Sequence, residues 1–346
     1  MPAMVQAIIK EAQLRKDYLY EDISTIYFGG GTPSLLPIAD LQLQVDSMRE
    51  LFKVDDDAEI TLETNPDDIT AEKLAAWKAI GINRLSIGIQ SFFEEDLQWM
   101  NRAHTAEQAL QSIQLAQEAG FDNITIDLIY GTPTLTDEQW QHNVQIAISL
   151  NIPHLSCYAL TVEPKTALEK MIATNKIANV DAEKQSRHFE LLMQWLNEAG
   201  YEHYEISNFA KPGMRSRHNS SYWQGKHYIG LGPAAHSFNG GSRQWNIANN
   251  ALYIQSLENS AVPFEIEVLT PAQQLNEYIM TSLRTMEGLS LQRIQQHWGL
   301  AEAERVKNGA FVFLSNGQVI LINNSLVLTN SGRLFADGIA AELFAA

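Results

Sequence analysis

Short apolar runs that read as strands alternate with amphipathic stretches that read as helices through the first half of this 346-residue chain. No other feature constrains the fold as much. Strands are expected at 23–28, 59–63, 84–89, 123–129 and 154–160. Helices are expected at 4–18, 39–52, 71–80, 106–119, 137–150 and 181–199. Strands joined by helical crossovers build a parallel sheet. The strand ends carry polar or conformationally special residues in sequence: Gly29, Gly30 and Gly31, then Glu63 and Asn65, Gln90, Asp127 and Tyr158. In a (β/α) barrel the carboxyl ends of the strands line the active site. A doubly wound open sheet would instead gather its ligand groups at one switch point. The barrel is therefore the preferred architecture. A barrel begins with a strand and this chain begins with a helix, so a first strand and its loop are expected to be missing before Met1.

Beyond Leu160 the alternation loosens. An extended stretch is expected at 201–209. Helices at 272–286, 291–298 and 302–307 precede short strands at 311–314, 318–321 and 326–328 and a last helix at 333–343. Helices followed by a small hairpin suggest a winged-helix-like α+β module. The expected organisation is a partial barrel over 1–205, a basic, Gly-rich segment over 206–265 and a C-terminal module over 266–346.

Charge narrows the partners. The chain carries a formal net charge of -17, which disfavours neutralisation of nucleic-acid phosphates. Between Glu205 and Glu258 there is no acidic residue, whereas Lys211, Arg215, Arg217, Lys226 and Arg243 fall there with His218, His227 and His236. A local basic island on an acidic protein points to a small anionic ligand. The start of the chain is charged and helical, unlike a signal peptide, and no apolar run is long enough to span a bilayer. A cytoplasmic protein is expected, meeting membranes only through partners. The one cysteine, Cys157, excludes an internal disulfide and reads as a small buried strand residue.

The motifs carry the functional reading. Gly29, Gly30 and Gly31, followed by Thr32 and Pro33, leave a strand directly; glycines there let a ligand approach the backbone closely. The spacing differs from the G-x-G-x-x-G dinucleotide pattern. His218 offers an imidazole, Tyr222 and Trp223 offer flat apolar faces, and Lys211, Arg215 and Arg217 offer cations to carboxylates. His227 and His236 are competing imidazoles. The plainer alternatives are a tight turn at the glycines, helix-capping roles for Glu63 and Asp127, an interior amide at Gln90, a surface ion pair at Arg102 and a packed loop around His218 and Trp223.

Taken in order, GGGTPS at 29–34, ETNP at 63–66, NRLSIGIQSF at 83–92, DLIYGTP at 127–133, YEISNF at 204–209, HNSSYW at 218–223 and GLGPAAHS at 230–237 resemble the coproporphyrinogen dehydrogenase branch of the radical S-adenosylmethionine (SAM) superfamily, and within it the HemW haem chaperones. The resemblance spans essentially the whole chain. It implies a partial (β/α)6 TIM-like barrel lacking its first strand. It implies that Gly29, Gly30, Gly31, Thr32, Pro33, Glu63, Gln90, Arg102 and Asp127 hold SAM. It also implies that His218 ligates haem iron, with Tyr222, Trp223, Arg215 and Arg217 around it. Haem-acceptor proteins, respiratory ones included, are the implied partners. The family's CxxxCxxC motif, whose thiolates bind a [4Fe–4S] cluster, is not in this sequence, so no cluster is expected on this chain. Two alternatives stay open at this level: an oxygen-independent coproporphyrinogen III oxidase, and a cluster-free barrel that only binds partners.

Overall fold

The structure, a computed structural model, describes residues 2–164, 167–174 and 177–345. A seven-stranded sheet is built from β1 (Ile23–Phe28), β2 (Val54–Thr64), β3 (Arg84–Gln90), β4 (Ile124–Tyr130), β5 (His154–Ala159), β6 (Glu202–Glu205) and β7 (Asn208–Ala210). Their spatial order is β1-β2-β3-β4-β5-β7-β6. β2 to β5 pair in parallel. The expected extended stretch at 201–209 is a hairpin: β7 runs antiparallel to both β5 and β6. The sheet is thus mixed, and among the described residues β1 and β6 do not pair, so it stays open like a partial barrel.

The chain forms two compact units that are discontinuous in sequence. One consists of Met1–Tyr27, Leu36–Ile60 and Ser216–Ala346; the other of Phe28–Leu35 and Thr61–Arg215.

In the second unit, local sequence explains why the crossovers start and stop where they do. Thr105 and Thr136 each accept a bond from the backbone of a glutamine three residues on, Gln108 and Gln139, whose side chains reach back to the cap. Such reciprocal boxes satisfy N–H groups that a helix start leaves unpaired. The helix Ala71–Ile80 stops at Gly81, whose φ of 104° is costly for any residue with a Cβ. Leu74, Trp77, Ile113, Trp140 and Val144 on these helices, and Leu192 on the helix Ala182–Glu198, are fully buried. Period-2 alternation gives the sheet two distinct faces. Ile60, Leu62, Leu85, Ile87, Ile126, Leu128, Leu155 and Cys157 form the apolar set. The parallel register puts Glu63 beside Ser86, Thr125 beside both Ser86 and His154, and Asp127 beside Ser156 on the other face. That polar face is wired across strands: Arg84 bonds Thr125, Thr125 bonds His154 at 3.0 Å, and His154 bonds the Tyr204 hydroxyl at 2.7 Å.

In the first unit, the helix Pro2–Leu14 ends four residues before the expected Tyr18. Its Ala7 packs on Tyr253 and Leu257. Its buried Glu11 accepts bonds from Arg15 (2.9 Å), Asn246 (2.8 Å), the Gly232 backbone (2.9 Å) and Tyr253 (2.5 Å). A small antiparallel sheet is made by β8 (His236–Phe238), β9 (Ser242–Asn246) and β10 (Phe264–Val268), in the order β10-β9-β8. The C-terminal module has β11 (Leu289–Ser290), β12 (Val319–Ile322) and β13 (Ser325–Leu328) in the order β11-β13-β12. Helices Pro271–Leu283, Leu291–Trp298 and Leu300–Gly309 precede the hairpin, as a winged-helix-like module requires.

Two expectations in this module fail. The strand expected at 311–314 is the helix Phe311–Ser315. A four-residue apolar run has no period from which to tell strand from helix, and here it continues the preceding helical turns. The last helix is broken into Asn330–Arg333 and Ala336–Glu342.

Candidate functional site

The glycine loop lies in the second unit, at the carboxyl end of β1. Gly30 and Gly31 have φ of 78° and 69°, and a Cβ added at either would meet nothing within 4 Å. The loop is thus shaped by conformation, with open space above it. Pro33 and Ser34 are buried and pin it down: the Ser34 hydroxyl donates to Asp68 at 2.6 Å, and Lys73 donates to the Ser34 carbonyl at 3.3 Å. Thr32 anchors the turn by accepting from the Leu35 N–H at 3.1 Å, and Gly29 is exposed.

Glu63, near the end of β2, accepts the Gly30 N–H at 3.1 Å. It makes no cap to the following helical turn Pro66–Asp68, which has no side-chain cap at all. Asp127 on β4 is held beside Ser156. Withdrawal from water, and then the neighbouring Glu63 carboxylate, push its carboxyl up to about 7, against the Ser156 hydroxyl, Arg84 and Arg102. Two carboxylates kept close at a half-buried site favour a cationic ligand that would let Asp127 ionise.

The β3 end brings a second group. Its register with β4 slips between Ile87 and Gln90, and Gln90 adopts φ of 66°. Such a bulge re-aims a side chain. Gln90 Nε2 folds back over Gly88: a Cβ on Gly88 would sit 3.1 Å from it, 3.3 Å from Arg102 Nη2 and 3.7 Å from Asn65 Oδ1. Arg102 is not a surface ion pair. It donates to Asn65 Oδ1 at 2.9 Å and to the Gly88 carbonyl at 3.4 Å, and its Nε is buried with no partner among the described residues. Burial lowers its affinity for its proton, partly offset by Asp67 and Asp127. The structure therefore gathers Gly30, Glu63, Gln90, Arg102 and Asp127 at the strand ends of one unit. Gly88, Asn65 and Ser156 were not singled out for a role by sequence. Asn65 carried a signal, a polar residue closing a strand, but its use became visible only once Arg102 met it.

The HNSSYW segment lies in the first unit on the helix Arg217–Trp223, where sequence reading assigned no element. Ser216 caps it, accepting from the Asn219 N–H at 3.1 Å. The buried Glu59 carboxylate receives the N–H groups of Arg217 (3.1 Å) and His218 (3.0 Å). The His218 ring stacks on Tyr27 at 4.7 Å and meets Tyr222 edge-on at 5.0 Å. Its Nδ1 bonds Thr25 Oγ1 and its Nε2 bonds the Tyr222 hydroxyl, both at 2.9 Å. Tyr222 also packs edge-on against Tyr228 at 4.8 Å, and burial pushes its phenol up to about 12. Trp223 carries the Arg284 guanidinium over its ring at 5.2 Å, and its indole N–H is buried without a partner among the described residues.

The basic island is not a bare positive patch. Arg215 pairs with Glu202 and Arg217 with Asp57, at 2.9 and 3.2 Å. His227 pairs with Glu21 at 2.8 Å, and Arg243 with Glu277 at 2.9 Å. Lys211 donates to Asn151. Acidic residues distant in sequence compensate the cations, so the charge inferred from the segment alone is largely neutralised. His236 is exposed beside Trp245.

Cys157 is 1% exposed on the apolar face of β5, and burial pushes its thiol up. Among the described residues no group of three or more His, Cys, Asp or Glu side chains is placed to hold a metal ion, and no helix is long and apolar enough to cross a membrane.

Comparison with known proteins agrees with the motifs. Residues 5–147 match the Radical SAM superfamily and residues 269–335 the HemN C-terminal domain. Heme chaperone HemW of Bacillus subtilis is 34% identical over 341 residues, covering 96% of this chain and 87% of that protein. Heme chaperone HemW of Mycobacterium tuberculosis (strain H37Rv) is 35% identical over 322 residues, covering 93% and 80%. Among solved structures, the Escherichia coli coproporphyrinogen III oxidase HemN, described as a radical SAM enzyme, aligns with a TM-score of 0.84 at 24% identity, covering 99% of this chain and 82% of that one. The last is a likeness of fold.

Proposed function

This chain belongs to the heme chaperone HemW family of the radical SAM superfamily, and from that premise we propose that it binds haem at the HNSSYW helix and passes it to acceptor haemoproteins. The oxidase alternative has less support: the oxidase is similar in fold, whereas the Bacillus subtilis and Mycobacterium tuberculosis relatives, at 34% and 35% identity, are chaperones by name. The observation that carries the haem reading is His218 set between the Tyr27 and Tyr222 rings, next to a Trp223 indole with an unmet N–H. An imidazole stacked on one aromatic ring and set edge-on to another suits an iron porphyrin. Arg217, in the same unit as His218, serves a propionate by exchanging Asp57 for it, as a guanidinium fork can. His218 has Nε2 engaged by Tyr222, so ligation through that nitrogen requires the tyrosine to yield. Tyr222 is 39% exposed and has solvent to swing into. Respiratory haemoproteins are the acceptors we expect, and the cytoplasm the compartment.

The strand-end cluster fits SAM. Glu63 suits the amine or the ribose hydroxyls, Gly30 and Gly31 leave space for close approach, and Arg102 Nε and the raised Asp127 are polar groups awaiting a ligand. SAM bound there would supply a sulfonium carbon–sulfur bond open to reductive cleavage. An iron–sulfur cluster held by three thiolates does not fit these residues, which hold one buried thiol in β5. The residues assigned to SAM lie in one unit and His218 in the other. Working boundaries are 1–205 for SAM, 206–265 for haem and 266–346 for the C-terminal module.

Haem titration of the purified chain tests the proposal. A Soret band should develop, and His218→Ala should weaken it while His227→Ala and His236→Ala leave it unchanged. A spectrum indifferent to His218→Ala rejects this site.

A further inference from the structure

We propose that β10 is a docking edge for an extended segment of a partner protein, apolar at alternate positions and carrying Lys or Arg at the positions between. β10 has one neighbour, β9, in its three-stranded sheet. The pairing runs Phe264 opposite Asn246 through Val268 opposite Ser242. Flanking bonds fix its phase: Ile247 N–H donates to the Pro263 carbonyl at 2.9 Å, and Leu269 N–H to the Gly241 carbonyl at 3.0 Å. In an antiparallel ladder, bonded and non-bonded pairs alternate. Glu265 and Glu267 therefore turn their backbone groups toward β9. Phe264, Ile266 and Val268 turn theirs to the open edge. No backbone bond is made by those three on that side among the described residues.

The side chains of the same three residues are exposed to 43%, 54% and 74%. An open row of donors and acceptors, coupled to an apolar row at every second residue, is the arrangement that accepts an added strand. It selects an extended backbone, because a helix or a loop cannot meet three outward pairs at strand spacing.

Charge selects which strand. From Gln244 to Leu283 there is no lysine, arginine or histidine, while Glu258, Glu265, Glu267 and Glu277 fall in that stretch; Arg243, just before it, faces Glu267 from β9 and pairs with Glu277 at 2.9 Å, which leaves Glu265 without a facing cation on β9. Two copies of β10 pairing antiparallel about Ile266 would set each Glu265 against a Glu267 of the other copy. Like charges directly opposite across strands repel. The edge is therefore closed to its own kind and open to a strand with cations opposite Glu265 and Glu267. Glu265 is exposed, and its β9 neighbour is Trp245, whereas Glu267 is half-buried, faces Arg243 and accepts from Gln273 at 3.1 Å, so Glu265 carries most of the selection. This docking is separate from the haem reading and needs no haem.

The test uses the full chain and a fluorescent synthetic peptide centred on Val-Lys-Val-Lys-Val, with Val-Glu-Val-Glu-Val as comparison. The lysine peptide should bind about fivefold more tightly, chiefly from the cross-strand attraction gained and the repulsion avoided at Glu265. Residue-resolved amide exchange should show new protection at Phe264, Ile266 and Val268, with Glu265 and Glu267 already protected in the free protein. Ile266→Pro removes one outward N–H and spares the β9 ladder, so it should abolish binding. Glu265→Lys should weaken the lysine peptide and strengthen the glutamate one. Equal binding of the two peptides overturns the proposal. So does binding without the alternating protection, or a concentration-dependent dimer that Ile266→Pro dissolves.

Discussion

Asp127 should make this protein less stable as pH rises, and replacing it should remove that loss. Its carboxyl is raised from 3.8 to about 7 in the folded protein. Between those values the folded chain keeps a proton that the unfolded chain releases. Stability therefore falls with pH across that window, by up to about 1.4 kcal/mol per pH unit, and is flat above it. Summed across the whole window, the loss has an upper bound of about 4 kcal/mol. Asp127 is only half-buried, so relaxation and water should reduce this to about 2 kcal/mol. Asp127→Asn has the same shape, can still meet Ser156 and never ionises. Urea unfolding of both proteins at pH 4 and pH 8 measures the effect. The variant should match the parent at pH 4 and exceed it by about 2 kcal/mol at pH 8. A difference independent of pH, or a variant weaker at pH 8, would refute the assignment of the raised carboxyl to this residue. The same physics gives the site its use: a cationic ligand that restores ionisation recovers the lost energy, so SAM affinity should climb from pH 6 to 8 in the parent and stay level in the variant.

Tyr222→Phe frees His218 Nε2 of its hydrogen-bond partner and should speed haem association and tighten binding about fivefold, the worth of one bond of about 1 kcal/mol; stopped-flow Soret kinetics read this, and weaker binding would mean that the phenol itself touches iron. Asn65→Ala strips the acceptor that holds Arg102 and should lower SAM affinity about tenfold in calorimetry with little change in the unfolding midpoint. Glu11→Ala leaves Arg15 charged and buried beside Asn246 and Tyr253 and should cost about 3–5 kcal/mol in urea unfolding, with haem and SAM sites sharing the loss only through folding.

Strand and helix positions in the first half of the chain were legible because their causes are local. Period-2 runs, threonine caps with glutamine three residues on, and glycine stops act over a few residues, and β1, the helix Ala71–Ile80 and the start of β3 fall where the sequence places them. The polar strand ends were legible for the same reason: parallel strands bring their carboxyl ends to one side. Where alternation is absent, as at 311–314, the sequence is silent on type, and the neighbouring helix decided it.

What the sequence alone determined is therefore the βα order, the polar residues at the strand ends, the HNSSYW motif and the family they identify. The tertiary structure alone decided how those residues are used. It paired Arg215, Arg217, His227 and Arg243 with carboxylates from distant parts of the chain, and so neutralised an island that looks basic in one dimension. It engaged both nitrogens of His218, through Thr25 and Tyr222. It also left one side of β10 without a neighbour. Ion pairs, ring-nitrogen bonds and sheet edges join residues far apart in the chain, and no local pattern encodes which partner a side chain will meet.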